Sequence, residues 1–141
     1  MTMTEFFRHR TPIQIRFNDL DSYQHVNNNS YFSFYDLGKE SYFADVFQHD
    51  FRRQSVVPLI ANINADFIEP VVYGDDIVVE TRISHLGTKS FTLEQRAVNQ
   101  KNGRVVCTAR TVMVCVDLKK QESVEIPAEY RAAIEAYEAG K

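Results

Sequence analysis

Alternation of apolar and polar residues marks five segments of the chain as strands with one buried face. These segments cover residues 13–17, 61–67, 77–84, 91–97 and 105–116. Pro12 stands just before the first segment, a position that suits a strand entry. Gly87 and the dipeptide Asn102-Gly103 mark two short turns, and Asn-Gly readily takes positive φ at both turn positions. Successive strands joined by short turns predict an antiparallel sheet.

Residues 29–47 show helical spacing instead, with Tyr31, Tyr35, Gly38 and Tyr42 recurring on one side. Apolar residues occupy most of the circumference, which is typical of a helix inside a domain. The asparagines before it supply N-cap side chains. Glycine in mid-helix costs roughly 1 kcal/mol relative to alanine, so we expect Gly38 to pack closely against another backbone. A short helix over residues 128–139 ends the chain.

One strand, a long apolar helix, four strands and a terminal helix predict an α+β fold. In this fold a five-stranded antiparallel sheet wraps around one long buried helix. The 141 residues match the size of one domain, and the chain shows no linker or repeat, so we predict a single domain over residues 1–141. Cys107 and Cys115 fall on the same face of the last strand, where we expect core thiols in a reducing compartment.

The formal net charge of −3 lacks the basic excess of a protein that binds nucleic acid by neutralising phosphates. No apolar run approaches the roughly 18 residues needed to span a membrane. The first eight residues lack the apolar segment of a signal peptide, so we expect a cytoplasmic protein. The four histidines show no metal-ligand spacing, and we expect neither a metal nor a redox cofactor.

The polar stretch over residues 17–31 concentrates the groups that acyl transfer needs. It contains the carboxylates of Asp19 and Asp21, the imidazole of His25, several amides and the predicted helix start. First-turn N–H groups lack intrahelical acceptors, and the helix dipole adds positive charge there. Such a terminus can stabilise negative charge developing on a carbonyl oxygen. A carboxylate just upstream can act as a nucleophile or as a base toward water.

The segment FNDLDSYQHVNNNSYFSFYD resembles the signature of the 4-hydroxybenzoyl-CoA thioesterase family of the hot-dog superfamily. The resemblance continues through ADFIEPVVYGDDIVVETRISHLGTKSFTLEQ and covers roughly residues 13–117. It implies a hot-dog fold and hydrolysis of acyl-CoA thioesters to a free acid and CoA. It also implies a homodimer or homotetramer with active sites between subunits, and CoA enters only as part of the substrate.

The resemblance also assigns roles to individual residues. Asp21 would be the catalytic carboxylate, and the backbone N–H of Asn28 would polarise the thioester carbonyl. His25 would lie in the site, and Tyr31 would be the aromatic residue of the first helical turn that contacts substrate. Lys89 and Ser90, in a turn between two strands, would meet the CoA phosphates.

Structural explanations stand beside these roles. Asp21 could cap a turn, His25 could order the loop, and Tyr31 could belong to the core. We expect Asp19 to cap or hydrogen-bond the loop, and Asn27 and Asn29 to be caps. The family usually has glycine at the position of Gln24, and glutamate and arginine at the helix positions of Asp36 and Lys39.

Two other functions remain open from the sequence. The first is a thioesterase acting on acyl-carrier proteins, whose acidic surface would require a local basic patch. Candidates for that patch are Arg8, Arg10, Arg52 and Arg53. The second is an acyl-CoA-binding protein without catalysis, because a fold alone does not determine function. The identity of the acyl group does not follow from the sequence.

Overall fold

The computed structural model describes residues 6–48 and 54–140. Its elements are β1 (His9–Ile13), a 3-10 turn (Phe17–Asp19), α1 (Asn28–Phe47), β2 (Val56–Phe67), β3 (Ile77–Leu86), β4 (Ser90–Asn99), β5 (Arg104–Asp117), β6 (Glu122–Ser123) and α2 (Ala128–Glu138). The strands form one antiparallel sheet in the order β1-β3-β4-β5-β2, with the short β6 paired to β5. The predicted α+β fold, an antiparallel sheet around a long helix, is confirmed, and β6 adds a sixth strand.

Helix α1 crosses the sheet and divides the core into two clusters. The cluster under its first half contains Tyr31, Phe34, Tyr35, Ile77, Val79 and Cys107. The cluster under its second half contains Tyr42, Phe43, Phe91, Leu93, Cys115 and Ile134. Both cysteines are therefore buried free thiols, as predicted. The outer side of α1 exposes Phe32 and Leu37, so the helix is buried along one side and not around most of its circumference.

Gly38 lies where α1 approaches the sheet most closely. A Cβ atom at this position would stand 2.7 Å from Val79 Cγ1, 2.9 Å from Gln95 Nε2 and 3.1 Å from Thr81 Oγ1. The close approach is thus to side chains of β3 and β4, which corrects the expectation of a neighbouring backbone. The buried Gln95 amide also donates to the main-chain carbonyl of Tyr35 at 3.0 Å and fastens the helix to the sheet.

The predicted first strand over residues 13–17 is wrong in position. β1 spans His9–Ile13 and includes Pro12, which is paired with Val78. An edge strand tolerates proline because one side of its backbone needs no ladder hydrogen bond. Beyond Ile13 the alternation continues without pairing, and Phe17 is exposed in the 3-10 turn.

Two further expectations require correction. β2 begins at Val56, five residues before the predicted start, because its first half is continuously apolar and shows no alternation. The β4–β5 hairpin forms as predicted, but only Gly103 of the Asn102-Gly103 pair has a positive φ, of 73°. The Gly103 N–H reaches back to the Asn99 carbonyl at 2.8 Å, which closes a longer turn than the expected two-residue one.

The sheet has two ends that matter for the candidate site. We call the end at Ile77 of β3, Phe67 of β2 and Arg104 of β5 the proximal end. The opposite end, at Leu86 of β3 and Val56 of β2, is the distal end. α1 begins at the proximal end, because Tyr31 packs with Ile77 and its ring lies 5.6 Å from that of Phe67.

Candidate active site

A small antiparallel ladder holds the polar loop at the proximal end. The Asn27 N–H donates to the Asp19 carbonyl at 2.7 Å, and the Asp21 N–H donates to the His25 carbonyl at 2.8 Å. A further hydrogen bond of 2.8 Å, from the Val26 N–H to the Val71 carbonyl, fastens the ladder to the segment after β2. The loop is therefore a fixed support for its side chains.

The two carboxylate oxygens of Asp21 have different surroundings. Oδ1 accepts hydrogen bonds from the N–H groups of Tyr23, at 2.9 Å, and His25, at 3.2 Å. It therefore caps the turn, which is the structural role that the sequence left open. Oδ2 receives no hydrogen bond from any residue in the described ranges, and the side chain is half-buried. One oxygen orders the loop while the other can meet a substrate or a water.

The start of α1 presents one unused backbone donor. The Asn27 side chain accepts from the Asn29 N–H at 3.0 Å, and the Asn27 carbonyl accepts from the Ser30 N–H at 2.9 Å. Asn27 is thus the N-cap, as predicted, whereas Asn29 is the second residue of the helix and the prediction that it caps is wrong. Asn28 is the exposed first helical residue, and its N–H finds no acceptor within residues 6–48 and 54–140. A free N–H at the positive end of a 20-residue helix can bind a developing oxyanion.

Asp19 links three segments around this site and confirms the expected hydrogen-bonding role. Its side chain is only 2% exposed and accepts from the Arg16 N–H at 2.8 Å and from Arg16 Nη2 at 2.9 Å. Its carbonyl also accepts from Ser30 Oγ at 3.2 Å. Burial alone would raise the pKa of Asp19, but the hydrogen bonds and charge of Arg16 outweigh it and hold that pKa below its ordinary value. Asp19 is therefore an ionised anchor of the loop.

The backbone conformation of Gln24 gives a physical reason for the glycine that is usual at this position in the family that the sequence resembles. Its φ is +66°, within the left-handed region that side chains rarely adopt. The departure from the family pattern therefore introduces backbone strain at the tip of the turn that follows Asp21. The side chain is exposed, so the strain is not offset by burial.

We expect Gln24→Gly to stabilise the fold by roughly 0.5–1 kcal/mol. A non-glycine residue in the left-handed conformation costs roughly 1–2 kcal/mol, and the greater chain entropy of unfolded glycine offsets part of that gain. Urea unfolding of both proteins would measure the difference. Gln14→Gly, at an exposed position outside the left-handed region, is the control and should lower stability. Equal stability changes in the two variants would contradict the explanation.

His25 lies in the loop that contains Asp21, and Tyr31 lies in the first turn of α1. The backbone of His25 orders the loop through its bonds with Asp21 and through a bridge to Val72. Tyr31 is 3% exposed and packs its ring against Phe34 and Phe67. Burial raises the pKa of Tyr31 well above its ordinary value, so the side chain is a neutral phenol in the core. A proton-transfer role for His25 and a substrate contact for Tyr31 stay predictions.

Both Lys89 and Ser90 lie at the distal end, Lys89 in the turn between β3 and β4 and Ser90 as the first residue of β4. The ten residues of β3 separate them from the Asp21 loop, which at about 3.3 Å per residue is roughly 30 Å. One chain therefore does not bring Lys89 and Ser90 together with Asp21. The turn itself is ordered by a 2.9 Å hydrogen bond from the Cys115 N–H to the Lys89 carbonyl.

An apolar groove with a volume of about 630 Å³ lies between α1 and β2. Its walls include Phe43, Leu59, Ile60 and Met113. Lys39 also lines it, buried and 3.4 Å from Asp36. Burial lowers the pKa of Lys39, and the carboxylate of Asp36 opposes that shift. The groove is therefore mainly apolar, with one ion pair on its helix side.

Of the four arginines predicted as a basic patch for a carrier protein, the two that the structure describes already have partners in the same chain. Arg10 pairs with Glu80 at 2.6 Å, and the guanidinium of Arg8 lies over the Tyr137 ring. Arg52 and Arg53 lie outside the described residues. The two arginines that the structure describes are thus engaged by their own chain.

The described helices include none that is long and apolar enough to cross a membrane. A family model described as the thioesterase-like superfamily matches residues 15–134. The long-chain acyl-CoA thioesterase FadM of Escherichia coli (strain K12) is 32% identical over 130 residues, which cover 89% of this chain and 96% of FadM.

Solved structures show the same likeness. The PA5185 protein from Pseudomonas aeruginosa strain PAO1 superposes with a TM-score of 0.85 at 30% identity, covering 94% of this chain and 92% of that one. A thioesterase from Thermus thermophilus, complexed with coenzyme A and Zn, gives a TM-score of 0.81 at 27% identity. That match covers 93% of this chain and 100% of the Thermus chain. The likeness confirms the hot-dog fold.

Proposed function

Because the chain belongs to the thioesterase-like superfamily, we propose that it hydrolyses acyl-CoA thioesters through Asp21 and the start of α1. The observation that supports this most directly is that two polar groups, one in the loop and one at the first residue of α1, have no hydrogen-bond partner among the described residues. Oδ2 of Asp21 has no donor, and the Asn28 N–H has no acceptor, among the residues that the structure describes. The substrate carbonyl would satisfy the N–H while the carboxylate acts on its carbon.

In the nucleophilic route, Oδ2 of Asp21 bonds to the thioester carbon and the carbonyl oxygen becomes an oxyanion held by the Asn28 N–H. Collapse of this intermediate breaks the C–S bond, releases CoA thiolate and leaves a mixed anhydride on Asp21. Water then cleaves the anhydride to the free acid and restores the carboxylate. In the alternative route, Asp21 takes a proton from a water molecule whose oxygen attacks the same carbon. Collapse of that intermediate breaks the same C–S bond, and the proton on Asp21 passes to the departing thiolate. Both routes use the same two groups.

A homodimer built on β2 is part of the proposal. β2 pairs with β5 on one side only, within the part of the chain that the structure describes. Only one of its twelve residues, Asp66, is charged, whereas isolated edge strands usually carry charges that discourage pairing. The adjoining groove also exposes Leu59 and Ile60 at 46% and 47%. A second copy of the chain would cover this edge and groove.

The experiment is a measurement of free thiol released from matched acyl-CoA and acyl-carrier-protein substrates with short, long and aromatic acyl groups. We expect turnover of at least one acyl-CoA, with a higher kcat/KM than for the matched carrier-protein substrate, because Arg8 and Arg10 are already engaged. Faster turnover of the carrier-protein substrate would favour that alternative. Tight acyl-CoA binding without thiol release by any substrate would show a binding protein and overturn the proposal.

A further inference from the structure

Arg16 and Asp19 form an ion pair beside the candidate site. The Arg16 side chain is 66% exposed, whereas the Asp19 side chain is 2% exposed. Nη2 of Arg16 donates to Oδ1 of Asp19 at 2.9 Å, Nε donates to Oδ2 at 3.4 Å, and the Arg16 N–H donates to Oδ2 at 2.8 Å. Charge-assisted contacts to both oxygens of one carboxylate fix its orientation as well as its position.

The main chain of Asp19 holds the start of α1. The Asp19 carbonyl accepts from the Asn27 N–H at 2.7 Å and from Ser30 Oγ at 3.2 Å. These two donors flank Asn28, whose N–H is the proposed oxyanion donor. Asp21, the proposed catalytic carboxylate, follows Asp19 by two residues. Asp19 therefore connects the two groups that the proposed reaction uses.

Loss of the Arg16 guanidinium would act on this connection more than on the fold. The two hydrophobic clusters of the described core include neither Arg16 nor Asp19. Solvent screens the exposed partner of the pair, so the pair contributes little to global stability. A buried carboxylate without its cation is nevertheless unfavourable, because its charge is no longer compensated. The loop can relieve this by turning Asp19 toward water, which would move Asp21 relative to the start of α1.

We infer that Arg16 is a positioning residue for thioester cleavage and acts through Asp19. By holding that carboxylate in place, it keeps Asp21 and the Asn28 N–H at the separation that the reaction requires. The inference rests on the proposed function. Arg16 would not touch the reacting atoms, so loss of its guanidinium should lower kcat and leave substrate binding nearly unchanged. A misplacement of about 1 Å can lower a rate by about 100-fold, so a small shift of the loop is enough.

The first test removes the guanidinium and keeps the backbone bonds of the turn. Arg16→Ala retains the N–H bond to Oδ2 of Asp19 and the 2.9 Å bond from the Asp19 N–H to the carbonyl of residue 16. We expect kcat for an acyl-CoA to fall about 10- to 100-fold and KM to change less than about threefold. A kcat within about threefold of wild type would overturn the inference.

Arg104→Ala is the matched control for this substitution. Arg104 lies at the same end of the sheet, is 65% exposed and pairs with Glu69 at 2.8 Å. Its pair has no contact with Asp19 among the hydrogen bonds of the described residues. Both kcat and KM of Arg104→Ala should equal those of the wild type. A loss of kcat as large as that in Arg16→Ala would show a general effect of surface charge and overturn the inference.

The second test returns the missing cation from solution. The exposed position of Arg16 gives a free guanidinium ion access to the Asp19 carboxylate in the Arg16→Ala variant. Guanidinium chloride at millimolar concentration, far below the concentrations that unfold proteins, should raise kcat of this variant about fivefold or more. It should not raise kcat of the wild type or of Arg104→Ala.

Sodium chloride and urea at the same concentration are the controls for the rescue. Neither supplies a planar cation that can donate to both oxygens of a carboxylate, so neither should raise kcat. Absence of recovery with guanidinium, or equal recovery with urea or sodium chloride, would mean that the substitution disturbs the loop in general. Either result would overturn the inference.

A mutant cycle tests whether Arg16 acts through Asp19. Asp19→Asn removes the charge that the guanidinium binds and should lower kcat by a similar factor. In Arg16→Ala/Asp19→Asn, the loss should be close to that of the less active single variant, because both substitutions break the same contact. If the two separate losses multiply instead, the residues act independently and the inference is overturned.

Circular dichroism and thermal unfolding establish that each variant is folded. If Arg16→Ala does not fold, Arg16→Lys makes the comparison, because an ammonium group keeps the charge but lacks the planar fork. Its kcat should fall about three- to tenfold with an unchanged KM, and an unchanged kcat would overturn the inference. Failure of the proposed function has another signature, because the wild-type protein would then release no thiol from any acyl-CoA. Failure of this inference leaves the wild type active and Arg16→Ala equally active.

Discussion

Replacing Asp21 with asparagine is expected to lower kcat for acyl-CoA hydrolysis by about 100- to 10,000-fold, the usual contribution of a positioned acid–base group. Asparagine keeps a carbonyl oxygen that can accept the N–H groups of Tyr23 and His25 in place of Oδ1. The loop should therefore keep its shape while the anionic Oδ2 is lost. KM should change little, because the substrate carbonyl still meets the Asn28 N–H. Steady-state thiol release with purified variants measures both constants.

Asp76→Asn is the matched control, because Asp76 is an exposed aspartate near the same end of the sheet. Its kcat should equal that of the wild type. Circular dichroism and thermal unfolding of the Asp21→Asn variant should match the wild type and exclude a folding defect. A kcat within about threefold of wild type in the Asp21→Asn variant would leave the carboxylate only its turn-capping role, and the proposed mechanism would be wrong.

The route matters less for this prediction than the position of the charge. Nucleophilic attack and base catalysis both require the free oxygen of residue 21, so both predict loss of turnover in the asparagine variant. They differ in whether an acyl group becomes attached to the chain. Intact-mass measurement during rapid turnover would reveal an increase equal to the acyl group in the nucleophilic route only.

The local elements were predictable because their determinants lie within a few residues of one another. α1 extends over Asn28–Phe47 against a prediction of residues 29–47, and its Asn27 cap follows from side-chain chemistry. Burial largely alternates along β4 and β5 because one face packs on α1, whereas the first seven residues of β3 are all buried. β1 and the first half of β2 were misplaced because their pairing depends on distant partners, such as Val78 opposite Pro12.

Some features of the candidate site could likewise be predicted from the sequence, and others could not. The position of Asp21 in a polar loop before a helix was visible in the sequence, although its role came from the family resemblance. The unequal surroundings of its two oxygens and the free Asn28 N–H depend on hydrogen bonds that no spacing predicts.

Gly38→Ala is expected to destabilise the fold by about 2 kcal/mol, although alanine has a higher helix propensity than glycine. Overpacking a close-packed core typically costs about 1–3 kcal/mol, and a methyl group here would meet Val79 Cγ1 at 2.7 Å. Gln95 Nε2, at 2.9 Å, cannot move away without loosening its hydrogen bond to the Tyr35 carbonyl. Urea unfolding measures the loss. Ser33→Ala, on the exposed side of α1, is the control and should be neutral or slightly stabilising.

A double-mutant cycle with Val79→Ala identifies the cause of that loss. Val79→Ala alone removes methyl groups from the core and should destabilise the protein. In the Gly38→Ala/Val79→Ala double variant the new methyl group occupies space that the valine vacated. The combined loss should therefore be smaller than the sum of the single losses by at least about 0.5 kcal/mol, as for residues in contact. Strict additivity would mean that contact with Val79 does not explain the need for glycine, and that the strain arises at Gln95 or Thr81 instead.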